Sequence, residues 1–167
     1  DRPYVGLEAI PECQRWRLLR ATIENARVAS DYEKNITAQW NVVYTIQGWD
    51  LKSVRYCAEE LASLERGYYA LGSLIGVHAE EATRRVAEVR QILGKRPKLH
   101  IFGISRVNLL HRIRYLIDSF DSSVPAKAAV FKEIISPSLK RSHVDKARWR
   151  PCSCPVCRDN PALILSK

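Results

Sequence analysis

The sequence predicts an α/β fold in which helices join short parallel strands, with a basic, metal-stabilised piece appended after them. Three observations predict it. Between residues 41 and 121, short apolar runs alternate with stretches of helical periodicity, and parallel strands are what such units build. Those runs are near-continuously apolar rather than alternating, so both faces of the sheet should be buried. Three of the five cysteines crowd into "CSCPVC" at 152–157, a spacing typical of metal sites.

The elements follow in order. Residues 12–34 carry Trp16, Leu19, Ile23 and Ala26 at helical spacing. "NVVYTI" (41–46) is strand-like and ends in Gln47-Gly48. Residues 51–66 read as a helix closed by Gly67, a C′ glycine. "YYALGS" (68–73) is the next strand. Residues 79–93 are a helix closed by Gly94, and "KLHIFGI" (98–104) is a strand after Pro97. Residues 106–116 are helical, and "IDSFD" (117–121) is a final short strand. From residue 125 the chain turns basic and loses clear period after Ile135. The domains expected are therefore 1–124 and 125–167.

Four strands do not close an eight-stranded barrel. They form either a small open sheet or part of a barrel whose first half lies upstream. A doubly wound phosphate-binding fold is disfavoured, because no glycine-rich fingerprint follows any strand. In either architecture, sites are built at the carboxyl ends of the strands. Polar or glycine residues cluster there: Gln47-Gly48, Gly72-Ser73, Gly103 and Asp118/Asp121.

The 167 residues are 46% hydrophobic and 27% charged, ordinary for a soluble domain with a real core. No apolar run reaches the roughly 18 residues of a membrane span, and the start lacks the pattern of a signal peptide. A cytoplasmic location is expected. The chain contains no methionine, which reads as a fragment or processed piece. The net charge of +9 suits a polyanionic partner such as nucleic acid, or a basic solvated surface.

Cys152, Cys154 and Cys157 can converge on one tetrahedral zinc ion if the backbone turns tightly. The fourth ligand is His143 or a residue beyond Lys167. Such a site is structural. Asp121 or Asp118 can act as a covalent nucleophile at a sugar C1′ carbon, or can serve as turn cap and solvated carboxylate. Gln47 offers donor and acceptor to a purine edge, and Gly48 exposed backbone; on the residues alone, a polar strand terminus explains the pair better. Gly72 would let a flat ring approach the backbone, or is a turn glycine. Trp16, Trp40, Trp49 and Trp149 could stack on bases; Trp16 and Trp40 read better as core, and Trp49, directly after Gln47-Gly48, is the leading candidate. His78, His100 and His111 have no obvious partner and read as structural. A basic run that includes Lys127, Lys132 and Arg148 suits phosphate contacts, or is a solvated basic loop.

In order, "VVYTIQGWDLKSVRYCAEEL", "GYYALGSLIG", "LHIFGISRVNLL", "IDSFDSS" and "CSCPVC" resemble the tRNA-guanine transglycosylase superfamily over residues 41–157. The resemblance implies the C-terminal half of a TIM-type (β/α)8 barrel with a zinc subdomain. It implies exchange of guanine in a polynucleotide for a 7-deazaguanine, of the preQ0 type, without breaking the backbone. Asp121 matches the nucleophile. Gln47 and the backbone around Leu71-Gly72 match base-recognition positions, and Asp1 a base-binding aspartate. Cys152, Cys154 and Cys157 match zinc ligands, the fourth being a histidine further downstream. The family's acid/base aspartate lies in the first half of the barrel, so this chain alone is expected to be inactive.

"QGW" and "SFDSSVPAKAAVFK" resemble the DpdA branch, which modifies DNA; Lys127 stands where the tRNA enzymes carry an arginine. The partners expected are DNA, alternatively tRNA, and a 7-deazaguanine base; a homodimer is left open and a membrane is not expected. A non-catalytic zinc-bearing nucleic-acid-binding module explains the charge and the cysteines, but not the polar residues at successive strand ends. A retaining glycosidase on free sugars gives no reason for the basic surface.

Overall fold

The computed structural model describes residues 10–35, 42–135 and 141–143. Its elements run α1 (Glu12–Asn35), β1 (Tyr44–Ile46), α2 (Leu51–Ala62), β2 (Tyr68–Leu71), α3 (Ala79–Leu93), β3 (Lys98–Ile101), α4 (Val107–Ile113), β4 (Ser119–Phe120), α5 (Val124–Val130), β5 (Glu133–Ile135) and β6 (Arg141–His143). The chain divides into two compact units between Ser122 and Ser123.

The first unit is a four-stranded, all-parallel sheet in the order β1-β2-β3-β4. A right-handed crossover repeated in one direction puts its helices on one face. A doubly wound sheet reverses strand order part-way, and this sheet does not. Side-chain alternation gives the two faces different work. Tyr44, Ile46, Tyr69, Leu71, Leu99 and Ile101 join Val54, Cys57 and Leu61 of α2, Val86 and Val89 of α3, and Leu109 and Ile113 of α4 in one core. Each such fully buried aliphatic side chain contributes about 1.5–3 kcal/mol. The opposite face carries Thr45, Ala70, His100 and Ser119, paired across the strands.

Polar ties fix α1 to this layer. Tyr44 donates a 2.6 Å hydrogen bond to Glu33; burial, with that carboxylate beside it, pushes its hydroxyl up to about 12. Arg66 reaches the Ser30 hydroxyl at 2.6 Å and its carbonyl at 3.0 Å.

The helix boundaries show which local signals governed. α2 opens on a capping box: Ser53 N–H donates to Asp50 Oδ1 at 2.7 Å, and Asp50 N–H to Ser53 Oγ at 3.1 Å. Burial pushes the Asp50 carboxyl up, but the Ser53 hydrogen bonds prevail and hold it below its usual range. α3 spans the expected residues and stops at Gly94, whose φ of 71° few other residues adopt.

α2, however, ends at Ala62, and the left-handed residue is Glu65 (φ 52°) rather than Gly67. Gly67 instead accepts the Lys98 N–H at 2.9 Å, at the foot of β3. The strands are shorter than their apolar runs because Gly72, Phe102 and Asp121 already belong to the turns beyond them. In the second unit, α5 leads to an antiparallel pair, with Glu133 opposite His143 and Ile135 opposite Arg141. The sequence contains no tight hairpin signal there.

Candidate active site at the carboxyl ends of the strands

One step beyond the ladder, three equivalent hydrogen bonds carry the parallel pattern on: Gly72 N–H to Ile46 O (2.9 Å), Phe102 N–H to Leu71 O (3.1 Å) and Asp121 N–H to Ile101 O (3.2 Å). They align Gln47, Gly72, Phe102 and Asp121 in a row on the face opposite the helices, at strand spacings of about 4.8 Å. Gln47, Phe102 and Asp121 are exposed. Every position in this row follows from strand register.

Asp121 is held at both ends of its residue. Its carbonyl accepts the Ile104 N–H at 2.9 Å, and its Oδ1 accepts the Gly103 N–H at 2.6 Å. Gly103 has φ 70°, the conformation that turns its N–H toward the carboxylate. The side chain remains 57% exposed, with His100 Nε2 3.6 Å from Oδ1. Among the described residues, none donates to Oδ2.

Asp118, at the other end of β4, does different work. Its Oδ2 accepts the Leu99 N–H at 2.7 Å and pairs with Arg90 at 2.8 Å. The Leu99 bond first, then Arg90, hold its carboxyl below the usual range. Of the two aspartates in "IDSFD", Asp118 anchors the start of the strand and Asp121 faces outward at its end.

The two glycines also separate. A Cβ on Gly48 would lie 2.5 Å from Val54 N and 2.7 Å from Val54 Cγ2, so Gly48 is required by the start of α2. A Cβ on Gly72 would meet only Gln47 Cγ at 3.8 Å and Ile46 O at 3.9 Å; nothing in the chain itself demands glycine. The Gly72 N–H is committed to the ladder. The Leu71 carbonyl has accepted Phe102 but keeps a second lone pair. Ser73, next along, is strained at φ 58°, as residues at binding sites often are.

The loop carrying Gln47 is pinned from behind. Arg85, buried on α3, donates to Trp49 O at 2.8 Å and to Glu81 at 2.9 Å. Trp49 packs edge-on against Trp16 at 5.0 Å beneath the Arg15 guanidinium. Its ring is a packing element, not the free stacking surface expected of it. Arg106 donates to the Val77 carbonyl at 2.6 Å and so ties the β2–α3 loop to the start of α4.

Sequence reasoning missed His100, Ser119 and Tyr68. His100 Nδ1 lies 2.8 Å from Ser119 Oγ, itself 3.3 Å from the Tyr68 hydroxyl. The available signal was position: between Leu99 and Ile101, which face the helices, His100 must face the other side, one step below Asp121's row.

In the second unit, Lys127 is exposed on α5, and Lys132 is exposed with φ 51°. His143 lies on β6. Asp1, Arg148, Cys152, Cys154 and Cys157 lie outside the described residues, as do Trp40 and Trp149. Among the described residues no cluster of three or more His, Cys, Asp or Glu could hold a metal, and no helix is long and apolar enough to cross a membrane.

The sequence model of the family described as queuine tRNA-ribosyltransferase matches residues 11–164. A search among curated proteins finds no match.

Proposed function

The chain belongs to the queuine tRNA-ribosyltransferase family, and from that premise we propose that it carries part of a guanine transglycosylase that acts on DNA, with Asp121 as the covalent nucleophile. The observation that carries this reading is the row Gln47, Gly72, Phe102 and Asp121 at the carboxyl ends of four parallel strands. The sequential strand order and the one-sided helix layer support a TIM-type barrel wall, with this row at its mouth.

The steps balance without an oxidant or reductant. A flipped-out deoxyguanosine presents C1′ to Asp121 Oδ2. The new C1′–O bond forms as the C1′–N9 bond breaks; the electron pair leaves on guanine, which takes up a proton. N9 of the incoming 7-deazaguanine gives up its proton to solvent, replacing the one that solvent supplied to the departing guanine, and attacks the same carbon, releasing the carboxylate. Two inversions retain configuration. Gly103 N–H holds Oδ1 throughout. Gln47 supplies an amide for the purine edge, and bare Gly72 a floor on which a flat ring can lie.

Cys152, Cys154 and Cys157 are a donor set that fits zinc, which would serve structurally. Lys127, Lys132 and Arg148 supply phosphate contacts. The net charge of +9 supports a polyanionic substrate.

DNA is favoured by the likeness of "QGW" and "SFDSSVPAKAAVFK" to the DNA-modifying branch. A second reading, the same exchange in tRNA, is favoured by the description of the matching family. The test expresses the complete gene in cells supplied with 7-deazaguanine precursors, followed by nucleoside mass spectrometry of purified DNA and tRNA. A 7-deazaguanine in DNA that disappears with Asp121→Asn is the expected result. Signal in tRNA alone would transfer the chemistry to that substrate. Retained signal with Asp121→Asn would refute the nucleophile.

A further inference from the structure

We propose that His100 is a positioning residue for Asp121: the polar row Tyr68–Ser119–His100 fixes its imidazole with Nε2–H toward Oδ1, leaving Oδ2 to attack. The inference rests on Asp121 as nucleophile.

Strand register brings the parts together. His100 pairs with Ser119 across β3 and β4. Ser119 Oγ is 2.8 Å from His100 Nδ1 and 3.3 Å from the Tyr68 hydroxyl. A serine hydroxyl has one proton to give. With the Tyr68 hydroxyl donating to Ser119 Oγ, Ser119 donates to Nδ1, and the neutral imidazole carries its proton on Nε2. The side chain of His100 is only 15% exposed. The Phe102 ring packs edge-on to it at a centroid separation of 5.0 Å. Its orientation is therefore set by a polar contact on one nitrogen and an aromatic wall beside the ring.

Nε2 then faces Asp121 Oδ1 at 3.6 Å. That exceeds a hydrogen bond, and catalytic contacts are commonly long before substrate arrives. The Gly103 N–H already occupies the same oxygen at 2.6 Å. Both donors converge on Oδ1, and among the described residues none reaches Oδ2. The two carboxylate oxygens are thereby made unequal: one is restrained by β3 and its turn, the other is presented to the substrate.

Two measurements test this. The first needs no activity. Long-range nitrogen–proton NMR of the chain at about pH 8.5, above the usual imidazole range, reads the tautomer of each of the four histidines, with His100→Gln assigning the signal. Nε2–H is expected at His100, and Ser119→Ala should turn it into a mixture of tautomers. An Nδ1–H tautomer, or no response to Ser119→Ala, would overturn the inference while leaving base exchange in place.

The second measurement is kinetic, on the protein expressed from its complete gene. His100→Leu should lower kcat by about 10- to 100-fold, the scale of a misplaced reacting group, with KM for the free base little changed. His100→Gln, whose amide N–H reaches a similar point, should restore most of the loss. An unchanged kcat, or a loss that Gln does not rescue, would also overturn it. Exchange retained by Asp121→Asn would instead remove the nucleophile itself, with the tautomer result standing.

Discussion

A single methyl group added at each of two glycines should separate folding from function. In Gly48→Ala the new Cβ would sit 2.5 Å from Val54 N, 2.7 Å from Val54 Cγ2 and 2.8 Å from Ser53 Oγ. None of these can swing away. Val54 N is helix backbone bonded to Asp50 O at 3.1 Å. Ser53 Oγ accepts the N–H groups of Trp49 and Asp50 at 2.9 and 3.1 Å. Relief must move the start of α2. Overpacking of this kind costs about 1–3 kcal/mol, and the weakened cap about 1 kcal/mol more, so roughly 2–4 kcal/mol is expected in all. With a urea m-value of about 2 kcal/mol/M, the middle of the usual range, the unfolding midpoint should fall by about 1–2 M.

In Gly72→Ala the nearest atoms stand at 3.8 and 3.9 Å, so stability should hold to within about 0.5 kcal/mol, while base exchange falls about 10-fold or more as the methyl rises into the ring's plane of approach. Urea titrations followed by tryptophan fluorescence, beside the nucleoside assay, read both. An unchanged midpoint for Gly48→Ala would refute the packing argument. Full exchange in Gly72→Ala would refute the base floor.

Other expectations follow from the same contacts. Asp118→Asn should cost about 1 kcal/mol at neutral pH, a charge-assisted bond discounted for a side chain 46% exposed. Because its folded carboxyl is depressed, that contribution is complete above the unfolded value and lost as pH falls through the folded one. Urea midpoints of parent and variant should therefore differ at pH 7 and draw together only as pH falls below about 4, toward the depressed folded value; a constant gap would exclude the ion pair. Arg85→Leu frees the Trp49 carbonyl and should cost about 1.5–3 kcal/mol, with weaker binding of the free base by calorimetry. Cys154→Ser should lower a zinc content of about one ion per chain, measured by mass spectrometry of the purified protein. Parent protein purified without zinc would count against the thiolate site.

Much of the first unit was legible because its signals are local. The periodicity of residues 79–93, closed by a glycine with φ 71°, specified α3 to the residue. Short, near-continuous apolar runs marked all four strands, and their polar ends marked the edge where Gln47, Gly72 and Asp121 gather. What was not legible depends on contacts between distant residues. Gly48 read as exposed backbone, yet it is consumed by α2, because the approach of a helix start leaves no trace at the glycine itself. Trp49 read as a stacking residue, but Trp16, upstream on α1, takes its edge. His100 had no visible partner because Ser119 meets it only through register. β5 and β6 escaped notice because short strands in a basic stretch without a two-residue turn have no pattern to offer.

β4, only two residues long, has a consequence for how the unit assembles and breathes. Pairing partners in this sheet stand close along the chain: Tyr44 with Tyr69, Tyr69 with Leu99, His100 with Ser119. Closing such short loops is entropically cheap and favours rapid, stepwise growth of the sheet. The last strand to join has the fewest ladder bonds, and it is the one that carries Asp121. Its residence depends on two aspartates acting as clasps, Asp118 on Leu99 and Arg90 at one end, Asp121 on Gly103 at the other. Amide exchange at Ser119–Asp121 should therefore outpace that of β2 and β3, and the outward carboxylate should be lost from its row before the core beneath it opens.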